Sequence, residues 1–440
     1  MSEKNIKKLG RKADLPAHQA EIVSRHYKSK EWSKVILLYE ELSKKFPESS
    51  QLLQASGGAY ANMGNFKLAI RSYLRLMELD PDNPNVYNNL GVLNKSERNY
   101  EKALLYYRKA LELRPNFAEA HNNLGNLVSD QGHLEDSLNY YKDAIAAKSN
   151  FIQAYLNLGV AYLNLGQVAS AVKTLKLALK LNPNNPLIYW HLYGCSPNIQ
   201  KAKYYLKQCL GRSKNNIEAD LAYTFLKTYC GNTTAEKRLN RFFNDGGPQV
   251  RSVKWVYELN NRPKIFFNRW AMFDFAVSKT IKSRPFYEFG VWRGVAFRYL
   301  IKTFKKGYGF DTFTGLPEDW HHEKKGSYNS DGTVPKIDGG DFVVGNFETT
   351  LPLFFKDKRP IASLINFDAD LYSSTICALN NCKNVIDKDT VLIFDEFLMN
   401  ENWEEDEYKA LKEFCAKNNL SYEILAVSFC TKQVALRLLG

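Results

Sequence analysis

NNLGVLNKSERNYEKALLYYRKALELRP, residues 88–115, joins two stretches with apolar residues at helical spacing through a polar break and closes on a proline. Its landmarks return at a fixed step. Gly57, Gly91, Gly125 and Gly159 stand 34 residues apart, as do Phe66, Tyr100, Leu134 and Val168, and likewise Ala69, Ala103, Ser137 and Ala171. Pro47, Pro81, Pro115 and Pro183 keep the phase, with Ser149 at the one position that lacks proline. Leu90 and Gly91 let two helices approach closely, and Ala103 and Ala110 stand where bulk would clash. Pro115 ends the second helix, because proline supplies no N–H to continue it. The period predicts helix–turn–helix units that bury their apolar faces by stacking on one another.

This is the pattern of the tetratricopeptide repeat (TPR). Five repeats are expected over residues 15–184. In the first, Trp32, Val35 and Pro47 are in phase but Val23 stands in place of glycine. A shorter unit over 186–212 and further helical segments to about 245 are expected to cap the stack. Asn89, Asn123 and Asn157 each precede the Leu-Gly pair. Stacking would align them as a polar ladder on a concave face, able to grip the backbone of an extended peptide or a polar polymer. The arrangement resembles the TPR groove of the O-linked N-acetylglucosamine transferases. The competing reading makes these asparagines ordinary surface residues of the repeat.

The chain has 440 residues, 45% of them hydrophobic, with a formal charge of +13. That length suits two or three domains. No run approaches the ~18 apolar residues of a membrane span, and the charged N-terminus has no apolar secretory core. The seven cysteines are scattered, with no C-x-x-C pair, so a reduced, cytoplasmic setting is expected. The lysines are spread over the whole sequence, and neither an aromatic-basic motif nor a recognition helix is present. A nucleic-acid partner is therefore not expected.

Composition changes at FFNDGGPQV (242–250), a turn-rich joint that places a TPR domain at 15–245 and a second domain at 246–440. PKIFFNRWAMFDFAVSKTIK (263–282) has helical spacing and predicts a leading helix. Strand-length apolar runs then alternate with helical ones. Strands are expected at 285–291, 307–313, 341–347, 361–370 and 390–397, and SYEILAVSF and KQVALRLL end the chain as an antiparallel pair. The fold class expected is therefore multidomain: an all-α TPR solenoid, then a Rossmann-like α/β domain with a mostly parallel sheet and one antiparallel strand.

Ligands of such sheets bind beyond the carboxyl ends of the strands, where the strand order reverses. Glu288, Gly290, Arg293 and Gly294 close the first strand and open its helix, whose positive end and glycines suit a close ligand. Asp311 closes the second strand, placed to accept hydrogen bonds from two ribose hydroxyls. Together these predict a nucleoside-bearing cofactor. EFGVWRG lacks the G-x-G-x-x-G turn of dinucleotide sites, which argues against NAD.

EFGVWRG, YGFDTFTGLPEDW, VVGNFETTLP, INFDADLYSST and VLIFDEF resemble, in order and spacing, the macrocin O-methyltransferase family of class I S-adenosylmethionine-dependent methyltransferases. The resemblance covers residues 265–440. It implies methyl transfer to a hydroxyl, typically of a sugar, assisted by a divalent metal, usually Mg²⁺. By that pattern Glu288, Gly290 and Gly294 shape the methionine end of the cofactor site and Asp311 holds the ribose. Asp368, Asp395 and Glu396 are the implied metal ligands and Asp370 the implied base, with Asp368 beside it in the catalytic centre. One departure is Glu396, where the family tends to carry aspartate. Four carboxylates converging from neighbouring strands would repel without a cation, and a hard oxygen-liganded ion would resolve that.

WHHEKKGSYNSDG (320–332) reads either as a lid bearing His321 and His322 or as a solvated loop. Trp292 and Trp320 read either as an aromatic wall or as core, and Glu404–Glu407 as the acidic opening of a helix. The function expected is O-methyl transfer to a sugar or glycan hydroxyl, with the TPR groove holding a protein, peptide or glycan-bearing partner. The alternative is a TPR interaction scaffold whose second domain is a retired enzyme or a cofactor sensor.

Overall fold

The computed structural model describes residues 15–213 and 215–439. They form two compact units, which divide between Leu158 and Gly159.

The chain opens with paired helices: α1 (Ala17–Lys28), α2 (Trp32–Leu42), α3 (Ser50–Asn62), α4 (Phe66–Leu79), α5 (Pro84–Ser96), α6 (Tyr100–Leu113), α7 (Ala118–Asp130), α8 (Leu134–Ala147), α9 (Ile152–Asn164) and α10 (Val168–Leu181). The recurring glycines have a steric cause. A Cβ on Gly57, Gly91 or Gly125 would lie 2.7, 2.5 or 2.6 Å from the ring of Tyr73, Tyr107 or Tyr141 respectively. Each tyrosine ring therefore packs against the backbone of the preceding helix. Ala69, Ala103 and Ala110 are fully buried at the crossings, where close packing leaves no room for a larger side chain. Asn65 and Asn99, in the same phase, accept backbone N–H groups of Leu68 and Lys102 and so start α4 and α6.

The second unit begins inside the fifth repeat. Its further helices are α11 (Pro186–Gly194), α12 (Ile199–Leu210), α13 (Ile217–Tyr229), α14 (Thr233–Phe242) and α15 (Pro248–Tyr257). They pack against the residues that follow them. The Trp270 indole donates to Leu163 O at 2.6 Å. Tyr193 lies 5.5 Å from Phe267, and Phe225 5.2 Å from Phe429, between ring centres. The compact unit thus starts well before the turn-rich joint near residue 245, because aromatic packing continues across that joint.

The α/β part contains β1 (Lys264–Phe266), α16 (Arg269–Val277), β2 (Phe286–Phe289), α17 (Val295–Phe304), β3 (Gly307–Asp311), β4 (Gly340–Val344), α18 (Phe347–Phe354), β5 (Leu364–Phe367), α19 (Tyr372–Cys382), β6 (Val391–Phe394), α20 (Glu407–Asn418), β7 (Ser421–Ser428) and β8 (Gln433–Leu439). The helix expected over 263–282 is corrected: Lys264–Phe266 forms an edge strand parallel to β7. Asn268 then caps α16, accepting the Ala271 N–H at 2.9 Å, which delays the helix to Arg269. The strands form one sheet of order β1-β7-β8-β6-β5-β2-β3-β4. Only β8 runs antiparallel to its neighbours, β6 and β7. The chain winds outward from β2 through β3 to β4, then returns to place β5 on the other side of β2. The strand order reverses there, and a crevice forms beyond the strand ends.

Candidate functional site

Four strands end alike. Phe289, Phe310, Phe367 and Phe394 are paired across β2, β3, β5 and β6. Their rings stack at 4.9 Å (Phe289–Phe310), 5.3 Å (Phe289–Phe367) and 4.7 Å (Phe367–Phe394). All four are fully buried. The next residues are Gly290, Asp311, Asp368 and Asp395. Side chains alternate across a strand, so a Phe packed into one face sends its neighbour the other way. The dipeptides Phe-Gly, Phe-Asp, Phe-Asp and Phe-Asp were the sequence signal for this row.

At the reversal, backbone approaches backbone. Gly290 has φ +86°, and a Cβ there would sit 1.8 Å from the Asp368 carbonyl oxygen. Its N–H donates to Phe310 O at 2.9 Å, while the Asp368 N–H donates to Phe289 O at 2.8 Å. Gly294, at φ +72°, precedes α17. The loop between them is fixed by Asp311. Its Oδ2 accepts the N–H groups of Val291 at 2.7 Å and Trp292 at 2.6 Å, and its Oδ1 accepts that of Phe313 at 2.6 Å. An ionised carboxylate offers about four acceptor positions, so after three backbone bonds Asp311 retains room for one ribose hydroxyl rather than two.

Polar atoms lie unmatched beside this loop. Glu288 and Asn366 are register partners on β2 and β5, 1% and 0% exposed. Glu288 Oε2 and both amide atoms of Asn366 have no hydrogen-bond partner. The Trp292 indole N–H and Arg293 Nε are likewise buried and unmatched. Each such group costs ~1–3 kcal/mol when left unpaired, so their concentration at a strand-order reversal marks a place built to receive a polar ligand. The glycine cradle, the start of α17 and this donor–acceptor set fit the methionine end of S-adenosylmethionine.

Two of the three expected metal ligands meet cations of the chain. Asp395, 4% exposed, pairs with the Arg269 guanidinium at 2.5 Å and also accepts from the Gln433 amide. Glu396 pairs with Lys432 Nζ at 2.9 Å and accepts from Asn400 Nδ2 at 3.0 Å. Among the described residues no group of three or more His, Cys, Asp or Glu side chains is placed to hold a metal ion. The reason is local: two of the three expected ligands, Asp395 and Glu396, already meet cationic side chains of the chain, leaving Asp368 alone. As arranged, these residues do not fit a divalent ion.

Burial pushes Asp368 and Asp370 well above the usual carboxylate range, with Asp395 the next cause for Asp368 and Glu396 for Asp370. Glu288 is raised chiefly by burial as well. Asp370 also holds a left-handed backbone, φ +59°, a strain of roughly 1–3 kcal/mol that clusters at functional positions. Glu407 joins this group. It was read from sequence as a helix opener, yet it is fully buried, its Oε2 accepts the Glu396 N–H at 3.3 Å, and Oε1 is unmatched. Burial, then Asp370, raises it well above its ordinary value.

A carboxyl raised on folding stabilises the fold below its unfolded pKa, near 4. That contribution is lost as pH climbs through the raised folded value. The second unit is therefore expected to unfold at lower urea at pH 8 than at pH 5.5. Glu407→Gln keeps an acceptor for Glu396 N–H and should flatten that dependence, raising the midpoint at pH 8. An unchanged pH slope in this variant would refute the assignment.

Nearby, His321 Nε2 pairs with Asp406 Oδ2 at 2.8 Å, while His322 is largely exposed, its side chain 86% accessible. Trp320 is a core residue, 8% exposed, and Trp292 packs edge-on against Tyr328 with ring centres 5.7 Å apart. In the first unit Asn89, Asn123 and Asn157 are half-buried. Asn123 Nδ2 donates to Asn88 Oδ1 at 3.0 Å, and Asn157 Nδ2 to Asn122 Oδ1 and Asn126 Oδ1, both at 2.9 Å. These donors bind the preceding repeat.

Comparison with known proteins supports the repeats. Family models described as tetratricopeptide repeats match residues 84–117, 106–139 and 128–193, and a TPR repeat model matches 57–97. No curated protein matches the chain. Among solved structures, MamA is 26% identical with TM-score 0.34, over 37% of this chain and 95% of its own. PilF of Pseudomonas aeruginosa is 20% identical with TM-score 0.42, over 47% and 96%. YrrB, described as a TPR protein with an unusual peptide-binding site, is 19% identical with TM-score 0.32, over 39% and 88%. TPR domains commonly bind peptide or protein partners, which supports an interaction role for the repeats. Among the described residues no helix is long and apolar enough to cross a membrane.

Proposed function

We propose that the second unit is an S-adenosylmethionine-dependent O-methyltransferase acting on a hydroxyl, a sugar's by the resemblance of its motifs, and that the TPR repeats recruit the protein or glycan-bearing partner. The observation that carries this reading is the set of unmatched buried polar atoms on Glu288 and Asn366 at the strand-order reversal. S-adenosylmethionine, when bound, supplies an electrophilic methyl group on a sulfonium centre. Gly290 and Gly294 leave room for it beside the backbone, and Glu288 offers a carboxylate toward a cation. Asp311 orders the loop and accepts one ribose hydroxyl.

A sugar hydroxyl is a weak nucleophile, so its proton must leave as the new bond forms. Asp370 is the acceptor for that proton. A carboxyl raised above its usual range, as burial and then Glu396 raise Asp370, is a stronger base than an ordinary one, and general bases contribute ~10²–10⁴-fold. Asp370→Asn is therefore expected to lose that factor in turnover while retaining cofactor affinity. Equal loss of affinity would assign Asp370 to binding instead.

The reaction class is tested by supplying methyl-labelled S-adenosylmethionine with polysaccharide and glycoprotein fractions from the source cells. A methyl ether survives mild base, so base-stable label in sugar is expected. Base-labile label would indicate a carboxyl acceptor and overturn the hydroxyl assignment.

A second reading, a TPR scaffold with a retired or sensor domain, is favoured by the neutralised pair Asp395–Arg269. It predicts cofactor binding without turnover, or neither.

A further inference from the structure

Asp395 and Glu396 end β6 inside a crowd of acids, and the chain itself supplies their counter-charges. Arg269 is the first residue of α16, held there by the Asn268 cap. Its guanidinium lies 2.5 Å from Asp395 Oδ2. The electrostatic pull on it comes from Asp395 first, then Asp368, Glu396 and Glu288. Its ion pair is with Asp395, and the acids at the ends of β5 and β2 act on it only through space. Lys432, in the turn between β7 and β8, takes Glu396 at 2.9 Å and also donates to Asn400 Oδ1 at 2.8 Å. Gln433 supplies Asp395 with an amide donor. Both acids at the end of β6 thus have a cation and an amide.

A divalent metal asks for something else. Mg²⁺ requires close, near-octahedral oxygen ligands, and here two of the three acids that would furnish them, Asp395 and Glu396, are turned to nitrogen donors. Guanidinium is planar and permanently charged, and it binds carboxylates where an ion would otherwise be needed.

We propose that Arg269 is the resident cation of this carboxylate cluster, occupying the seat that a divalent metal would take, so that the second unit holds its acidic strand ends together without a metal. The assignment rests on the methyltransferase reading only for its consequence that turnover proceeds without added metal. The ion-pair geometry stands without that reading.

The test is Mn²⁺ binding by the full chain, followed by electron paramagnetic resonance of the free ion, with no cofactor or acceptor present. Failure of the cation assignment is thereby separated from failure of the methyltransferase reading. The wild type is expected to bind no Mn²⁺ up to about 1 mM and to show no change in melting temperature with the ion. Arg269→Gln vacates the seat. It should bind Mn²⁺ at least ~10-fold more tightly than the wild type, and the ion should raise its melting temperature. Arg269→Lys keeps a cation and should bind none. Arg269→Gln leaves Asp395 buried without its cation and can fail to fold. The wild type and Arg269→Lys then decide the matter. Micromolar Mn²⁺ binding by either, or a folded Arg269→Gln that gains none, overturns the proposal.

Discussion

Gly290→Ala is expected to destabilise the second unit by roughly 2–5 kcal/mol and to abolish cofactor binding. Two costs coincide at this residue. Its φ of +86° is disfavoured for any residue with a Cβ, and the added carbon would meet the Asp368 carbonyl oxygen at 1.8 Å. Neither partner can yield, because both are backbone at the ends of adjacent paired strands. The alanine must therefore push β2 and β5 apart where the crevice forms. Gly294→Ala provides the internal comparison. Its φ is similar, +72°, but its nearest neighbour is the Ile337 Cδ1 at 3.1 Å, the end of a side chain that can move. It should cost less than half as much. Urea unfolding followed by tryptophan fluorescence measures both. A Gly290→Ala protein within 0.5 kcal/mol of wild type, about the size of a neutral surface change, would contradict the close approach described for the two strand ends.

Asp311→Ala should have the next largest effect, on the loop rather than the sheet. Three backbone N–H groups, from Val291, Trp292 and Phe313, end on one carboxylate. Hydrogen bonds to a charged acceptor contribute about 1.5–3 kcal/mol each. Water can replace part of this in a half-buried loop, so a net loss of roughly 2–4 kcal/mol is expected. Amide hydrogen exchange should accelerate at Val291 and Trp292 while Phe289 and Phe367 stay protected. Cofactor affinity should fall because the loop is no longer preorganised. Asp311→Asn retains one carbonyl oxygen and should fall between. Unchanged exchange at Val291 in Asp311→Ala would show that the loop is fixed by other contacts, and the carboxylate would return to a purely ligand-binding role.

These two residues are of a kind that a sequence reveals. Gly290 and Asp311 sit at strand ends, and strand ends are marked locally by apolar runs that stop at glycine or aspartate. The 34-residue repeat was equally legible, since its glycine, alanine and proline columns recur at one step, and three of the four glycines meet a tyrosine sixteen positions later while Gly159 meets Leu175. Arg269 was not legible. It lies 126 residues from Asp395, at the start of a helix that a short strand, Lys264–Phe266, precedes. Lys432 ends the β7–β8 turn and Gln433 opens β8, and their position beside β6 depends on the antiparallel insertion of β8. Glu407 looked like any acid at a helix start, and only its burial against Glu396 and Asp370 sets it apart. Carboxylates can be counted along the chain, but the cations that folding brings to them cannot. The turn-rich joint near residue 245 was visible, but the aromatic contacts that tie earlier helices to the sheet were not. Tyr193 with Phe267 and Phe225 with Phe429 join residues 74 and 204 positions apart.

The central claim is that the strand-order reversal receives S-adenosylmethionine. Calorimetric titration of the cofactor into the full chain tests it most directly, with Glu288→Gln as the control. The account predicts one site per chain at micromolar affinity, weakened at least ~10-fold by Glu288→Gln, a loss of about 1.4 kcal/mol. The wild-type affinity should be the same with and without Mg²⁺. No binding at about 1 mM cofactor would contradict it, and the unmatched atoms of Glu288 and Asn366 would then belong to a different ligand.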